Sequence, residues 1–240
     1  MGMLMYDTGV NSKLRHELKY FISYLDYIAI KHRLKIFMKQ DSHSLNEQGY
    51  YVKSLYFDDL DDGAMFEKQS GIINRSKIRI RTYNNSDQMI KLEKKSKLNH
   101  LIKKDSMEIT IKEYGQLCKN DFSFLRSVGT KVSQELYCDF RSNVLTPKVI
   151  VEYTREAYIM HYDEIRVTFD KQLCSAASIK DFFAEEPVLF KALESNIIIM
   201  EIKYNSFFPD FLKSLMQIVS REKVAISKYV LCRELKTSLI

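Results

Sequence analysis

The sequence of 240 residues has few of the residues that interrupt regular structure, with 7 glycines, 3 prolines and no tryptophan. So little glycine and proline argues against disorder and long linkers. The 4 cysteines form no CxxC pair, which argues against a zinc site and indicates reduced thiols. No stretch approaches the roughly 20 apolar residues of a membrane span, and the first residues lack the features of a signal peptide. We therefore expect a cytoplasmic protein.

The remaining composition is that of a globular protein with a basic excess. Hydrophobic residues make up 45% of the chain and charged residues 28%, and the formal net charge is +6. A chain of this length can bury a sizeable core. The positive charge fits an anionic ligand, such as a nucleotide, a polyanion, a nucleic acid or a lipid headgroup, without distinguishing among them.

One stretch, KIRIRTYNNSDQMIKLEKKSK at residues 77–97, alternates apolar and charged side chains on both sides of a polar turn. Arg79 and Arg81 share one face of the first run, and Lys91 and Lys95 share one face of the second. Alternation with period two is typical of a strand, and two such runs around a short turn predict a hairpin. Because like charges on adjacent strands repel, this face lies against either open water or an anionic partner.

The same alternation recurs along the chain and predicts an antiparallel sheet. The further predicted strands lie at residues 14–21, 50–57, 101–111, 147–160, 164–173 and 197–204. Helical periodicity occurs near 24–38 and 210–220, and again near 112–142, where it predicts a helical insertion between strands. Strands separated mainly by turns, with helices at either end, predict a single α+β domain over residues 1–240.

The segment IIIMEIKY at residues 197–204 indicates how the sheet is arranged. Its only charges, Glu201 and Lys203, lie in an otherwise apolar run, and a buried charge needs a partner or a ligand. In a closed barrel, the apolar faces meet surrounding helices and the charged faces meet each other. We therefore predict a closed antiparallel β-barrel with a mainly basic lumen, which could bind phosphate through Lys and Arg and a divalent metal through Glu.

Seven short motifs resemble the triphosphate tunnel metalloenzyme (CYTH-like) superfamily. Within it, the sequence is similar to the polyphosphate polymerase domain of the vacuolar transporter chaperone (VTC) complex and its bacterial relatives. The motifs, spread in family order over almost the whole chain, are RHELKY, KIRIRTY, IKLEKKSK, IVEYTREAY, IRVTFD, IMEIKY and ISKY.

The resemblance implies a tunnel of about eight antiparallel strands. It also implies transfer of the γ-phosphate of a nucleoside triphosphate such as ATP to a growing polyphosphate chain, assisted by Mn²⁺ or Mg²⁺. Nucleoside triphosphate and polyphosphate are thus the expected partners, a separate membrane protein is an optional one, and no nucleic acid is expected.

The resemblance assigns roles to the residues that match its motifs. The expected catalytic residues are Arg79, Arg81, Arg155, Arg166 and Lys95. The expected substrate-binding residues are Lys19, Lys91, Tyr153, Lys203, Ser227 and Lys228. The expected metal ligand is Glu201, with Glu93 close to the metal.

One position departs from the hydrolytic members of the superfamily, which typically open with an ExExK motif. Here that motif reads Arg15, Glu17 and Lys19, with one acid instead of two. This difference favours the polymerase branch. Two other functions stay open: a triphosphatase that releases orthophosphate, and a non-catalytic module that binds RNA or polyphosphate, for which Tyr83 and Tyr153 would be the stacking candidates.

Overall fold

The computed structural model describes residues 15–99, 101–217 and 221–238. Within these residues, ten strands pair into one antiparallel sheet. The strands are β1 (His16–Ser23), β2 (Lys39–Gln40), β3 (Tyr50–Asp58), β4 (Arg75–Tyr83), β5 (Ile90–Leu98), β6 (Leu101–Ile109), β7 (Thr146–Met160), β8 (Ile165–Ala176), β9 (Leu189–Lys191) and β10 (Ile197–Tyr204). The order across the sheet is β1-β10-β8-β7-β3-β4-β5-β6, with β2 paired to β7 and β9 paired to β8. The predicted hairpin is the β4–β5 pair.

Helices connect and cover these strands. They are α1 (Tyr24–Phe37), α2 (Gly63–Gln69), α3 (Ile111–Cys118), α4 (Ser123–Val128), α5 (Lys131–Ser142), α6 (Asp210–Leu215) and α7 (Lys228–Ser238). Capping boxes start α1, through Ser23 and Asp26, and α3, through Thr110 and Glu113. Helices α3 to α5 lie between β6 and β7, where the periodicity predicts an insertion. Among the described residues, no helix combines the length and apolar character needed to cross a membrane.

The sheet curls but does not close into the expected barrel. Among the described residues, its two edges share only an isolated bridge, between Arg15 just before β1 and Ile102 of β6, in place of a continuous ladder. The gap is spanned instead by side chains, since Lys95 of β5 donates to Glu17 of β1 at 2.8 Å. The prediction of a closed barrel is therefore corrected to a curled half-barrel. The alternation of apolar and charged residues predicts which face of a strand is polar and which is apolar. It does not predict whether the two edge strands of the sheet pair with each other.

The convex face of the sheet carries the two cores that hold most of the helices. Leu55, Ile80 and Leu92 pack beneath α3 to α5. The other end of the sheet packs against α1 and α6 through residues such as Phe169 and Met200. Because apolar side chains alternate with charged ones, burying the convex face leaves the charges on the concave face.

Helix α7 lies on the opposite, concave face. Its Tyr229 and Val230 pack with Tyr56, Val149 and Val151 of β3 and β7. The helix fills part of the space inside the curl, so that a smaller cavity is left beside it.

A buried carboxylate ties α1 to the convex face. Glu156 of β7 is fully buried and accepts hydrogen bonds from Tyr27 and Tyr158, each at 2.5 Å. Lys31 and Lys171 approach it at 2.8 and 3.0 Å. Burial alone would raise the pKa of Glu156, but these four donors outweigh it and lower the pKa to about 2.

We expect Glu156→Gln to lower the free energy of unfolding by about 2 kcal/mol at pH 7, because charged hydrogen bonds in the core are lost. A carboxyl whose pKa is depressed on folding stabilises above its unfolded pKa and loses that contribution as pH falls. The difference in the free energy of unfolding between Glu156→Gln and wild type should therefore shrink as the pH falls from about 4.5 to about 2. Urea unfolding at pH 7 and pH 3 measures it.

The matched control is Glu47→Gln, which removes an exposed carboxylate 3.8 Å from Lys35. We expect this change to cost less than about 0.5 kcal/mol. If Glu156→Gln lost the same free energy of unfolding at pH 7 and at pH 3, the stabilising role assigned to the ionised Glu156 carboxylate would be contradicted.

Candidate functional site

The concave face encloses a cavity of about 590 Å³ whose lining is dominated by cationic side chains. They come from β1, β4, β5, β7 and β10, together with α2, the start of α7 and the segment before it. The lining cations are Lys19, Lys68, Arg75, Lys77, Arg79, Arg81, Lys95, Lys97, Arg155, Lys203, Lys223 and Lys228. Glu17 and Glu201 are the acidic residues among the described lining.

Strand β4 supplies two arginines that neighbouring side chains hold in place. Arg79 donates from Nε to Glu93 at 2.8 Å and from Nη1 to the Tyr56 hydroxyl at 2.9 Å. Arg81 donates to the hydroxyls of Ser54 and Tyr153 at 3.1 and 3.0 Å. Both guanidinium groups are therefore oriented before any anion enters, which lowers the ordering cost of binding.

A third arginine lies across the cavity and shares its carboxylate with a lysine. Arg155 of β7 binds Asp170 of β8 through two parallel hydrogen bonds at 2.6 and 2.7 Å. Lys228 at the start of α7 lies 2.5 Å from the same carboxylate. Burial opposes ionisation of Asp170, but Arg155 and Lys228 prevail and lower its pKa to about 2. Asp170 thus stays charged and holds two cations from different elements together.

Glu17 and Glu201 form the acidic part of the cavity. Glu17 lies 2.8 Å from both Lys19 and Lys95. Burial and Glu201 raise the pKa of Glu17, yet Lys19, Lys95 and Lys203 outweigh them and bring it to about 2. Glu201 contacts Lys203 at 2.7 Å, and the surrounding cations, led by Lys203, hold its pKa well below the usual range despite burial. Both carboxylates are therefore ionised at neutral pH.

This acidic pair fits a magnesium-type metal site. No group of three or more His, Cys, Asp and Glu side chains with metal-binding geometry occurs in the described ranges. Mg²⁺ needs no such group, because it commonly takes one or two carboxylates and completes its shell with water and substrate phosphates. Glu17 and Glu201 provide those two carboxylates next to the cations that would hold the phosphates.

Most of the predicted site residues meet in this cavity. Those in its lining are Lys19, Arg79, Arg81, Lys95, Tyr153, Arg155, Glu201, Lys203, Ser227 and Lys228. Three others lie on the same face of the sheet but outside that lining: Lys91, Glu93 and Arg166.

These three residues differ in the side chains that they contact or face. Arg166 donates to Asp41 at 2.5 Å and to Tyr50 at 2.9 Å, and neither of these partners is in the cavity lining. Glu93 is buried, and its two oxygens contact Arg79 and Lys104, so in this structure it positions Arg79. Lys91 lies opposite Arg81 in the β4–β5 ladder.

The structure also adds residues that the sequence reasoning missed. Glu17 shares a strand face with Lys19, so the alternation itself contained the signal. Asp170 shares a face with Arg166, but no sequence pattern shows that it lies opposite Arg155. Lys77 belongs to the same alternating run as Arg79 and Arg81, so the alternation contained its signal as well.

Lys77 has an unusual environment within the cavity. Its ammonium group lies 4.5 Å from the centre of the Tyr229 ring and donates to the Ser227 hydroxyl at 3.1 Å. Burial is the main cause that lowers its pKa to about 7, and Lys68, Lys19 and Arg75 lower it further against a weak opposing effect of Asp58. Near neutral pH, Lys77 is thus divided between its charged and neutral forms.

Comparison with known proteins finds one matching family and several similar folds. A family model described as the VTC domain matches residues 14–236. A solved structure from Hippeastrum, described as an adenylyl cyclase with a dominant triphosphatase activity, is 14% identical with a TM-score of 0.56, over 92% of this chain and 96% of that chain. A Vibrio parahaemolyticus protein described as an adenylate cyclase is 12% identical with a TM-score of 0.51, over 92% and 98% of the two chains. No curated sequence matches significantly. The two structures share the fold.

We expect inorganic tripolyphosphate to bind with proton uptake near pH 7.5, because an anion in the cavity favours the charged form of Lys77. Affinity should accordingly weaken as pH rises from 6 to 8 through the pKa of about 7. Calorimetry in buffers of different ionisation enthalpy measures the protons taken up. In Lys77→Met, the uptake should fall by up to one proton per site, and equal uptake in both proteins would contradict this role for Lys77.

Proposed function

The chain belongs to the VTC domain family and has the triphosphate tunnel fold, and from this premise we propose that it is a polyphosphate polymerase. In this proposal, it transfers the γ-phosphate of a nucleoside triphosphate such as ATP to the end of a polyphosphate chain. One observation carries the proposal: Arg79, Arg81, Arg155 and Lys228 converge in one cavity beside the carboxylates Glu17 and Glu201. Phosphoryl transfer requires this combination of charge neutralisation and positioning.

The proposed chemistry needs no protein nucleophile. A terminal oxygen of the acceptor chain, already ionised, forms the new P–O bond to the γ-phosphorus. The bond between the γ-phosphorus and the β–γ bridging oxygen breaks, and nucleoside diphosphate leaves. Arg79, Arg81 and Arg155 would hold the negative charge that spreads over the equatorial oxygens of the transferred group. Their hydrogen bonds to Glu93, Tyr153 and Asp170 keep them in position during the step.

Glu17 and Glu201 would hold the divalent metal, Mn²⁺ or Mg²⁺. When bound, such an ion would supply positive charge that neutralises charge developing on the phosphate oxygens. Lys19 and Lys203 contact these carboxylates at 2.8 and 2.7 Å, and their positive charge would add to the neutralisation of the substrate oxygens.

The amino-terminal motif supports transfer to phosphate over hydrolysis. At the position of the first acid of an ExExK motif, this chain has Arg15, which donates to Glu164 at 2.6 Å and is not part of the cavity lining. The site therefore has one carboxylate fewer than an ExExK motif would supply, whereas its cations favour an anionic acceptor.

The proposal is tested by incubating the protein with ATP and Mn²⁺ and measuring both long-chain polymer and free phosphate. Polymer formation supports it. Release of phosphate without polymer would assign a triphosphatase instead, and binding without turnover would assign a polyanion-binding module.

Replacing Arg79 and Arg81 by alanine should lower kcat/KM for ATP by about a thousandfold or more. The reason is that two guanidinium groups that stabilise the negative charge of the transition state are removed. Steady-state kinetics measures the loss, and thermal unfolding shows whether the fold survives. The matched control, Lys35→Gln with Lys213→Gln, removes two exposed cations that pair with Glu47 and Asp210. Near wild-type activity in the arginine variant would refute the assignment.

A further inference from the structure

Helix α1 has apolar side chains on two opposite sides. Its inner side, with Tyr27, Ile30 and Leu34, is buried against the convex face of the sheet. The opposite side, which we call the outer stripe, consists of the exposed residues Leu25, Ala29, His32 and Ile36. A helix that is apolar only on the side facing its own core needs no further cover, whereas one with a second apolar side is typically covered there as well.

The two ends of the outer stripe carry the largest exposure of this kind. Leu25 and Ile36 are 80% and 75% exposed, more than any other large apolar side chain among the described residues. Next to Ile36, the half-exposed rings of Phe37 and Phe211 lie 5.5 Å apart and extend the apolar surface onto α6. Single exposed apolar residues are ordinary, but a group of them on one face marks an interaction surface.

The spacing of the outer stripe matches that of a helix-pairing seam. Its members are separated by four, three and four residues, which is the spacing of the two core positions in a heptad repeat. If a second copy of α1 runs antiparallel to the first, Leu25 lies opposite Ile36 and Ala29 lies opposite His32. Twofold symmetry repeats both pairs, and the small Ala29 leaves room for the larger His32. The outer stripe is therefore complementary to itself, as a twofold interface requires.

The charges of α1 favour the same arrangement. The carboxyl-terminal half of the helix contains Lys31, Arg33 and Lys35, whereas the amino-terminal half contains Asp26 and no lysine or arginine. Parallel pairing would bring the three cations of one copy beside those of the other. Antiparallel pairing places them beside the half that contains Asp26, and it also aligns the two helix dipoles favourably.

We infer that the outer stripe is a homodimer interface, in which the α1 helices of two copies pack antiparallel about a twofold axis that passes between Ala29 and His32. Because α1 covers the convex face, this dimer joins the two sheets through their convex sides and leaves both cavities uncovered. Helix α1 is only about 21 Å long, so the interface is small and the dimer is weak and concentration-dependent. The inference does not depend on the proposed function.

The test is sedimentation equilibrium of the full chain over protein concentrations that reach the millimolar range. Wild type should associate to a dimer and no further, because a twofold interface is closed. Leu25→Glu and Ile36→Lys each place an unpaired charge in the seam, and each should raise the dimer dissociation constant by roughly tenfold or more. The matched control is Leu60→Glu before α2, where the leucine is 71% exposed. This control should dimerise like wild type.

The double variant, Leu25→Glu with Ile36→Lys, tests the orientation of the helices. In the antiparallel dimer, each introduced carboxylate lies opposite an introduced ammonium group of the other copy, so dimerisation should recover relative to both single variants. Within one copy, the two positions are roughly 16 Å apart along the helix and cannot pair with each other. Both side chains are exposed, so thermal unfolding of all variants should resemble that of wild type.

Several results would overturn the inference. One is a wild type that stays monomeric at every concentration, even if it then sediments with vesicles containing phosphatidylserine, since that would assign the outer stripe to a membrane surface. Another is a dimer that neither single substitution weakens, or one that Leu60→Glu weakens to the same extent. A double variant that dimerises no better than the single variants would refute the antiparallel pairing, and the inference with it.

Discussion

Most of the buried cations on the concave face are paired with carboxylates, and this pairing shapes the cavity. An unpaired buried charge is costly, whereas a paired and hydrogen-bonded one is tolerated. Asp170 forms ion pairs with Arg155 and Lys228, and Glu17 forms ion pairs with Lys19 and Lys95. Each carboxylate thereby joins cations from different strands or helices. The same contacts that make burial tolerable also fix the positions of the groups that would meet phosphate.

Much of this arrangement could be predicted from the sequence, because it depends on local alternation. A strand with period two has two faces whatever its neighbours are, so the run that contains Arg79 and Arg81 had to present both on one side. The isolated charges of residues 197–204 likewise indicated a shared polar interior, and Glu201 does lie in the cavity with those arginines. The hairpin and the helices between β6 and β7 followed from the same periodicities.

What could not be predicted depends on contacts between distant strands. Alternation placed Arg166 on the correct face, but its position along the strand pairs it with Asp41 instead of the cavity. The ladder sets Glu93 opposite Arg79, and the sequence did not show which cation Glu93 would contact. Whether β1 and β6 close the barrel depends on how tightly the whole sheet curls, and with α7 packed inside the curl the described residues of these two edges share a single bridge. Register and curvature are properties of the assembled sheet.

The pairing of β1 with β10 has a consequence for how the protein acquires its cavity. Lys19 and Glu201 are direct neighbours in this ladder although they come from opposite ends of the chain, and Lys228 follows later still. Contacts so distant in sequence form slowly, because a long loop must close first. During synthesis from the amino terminus, Arg79 and Arg81 would leave the ribosome well before Asp170, Glu201 and α7. An incomplete nascent chain therefore has the two arginines of β4 but no cavity around them, and the last third of the sequence turns an exposed basic strand into part of a cavity.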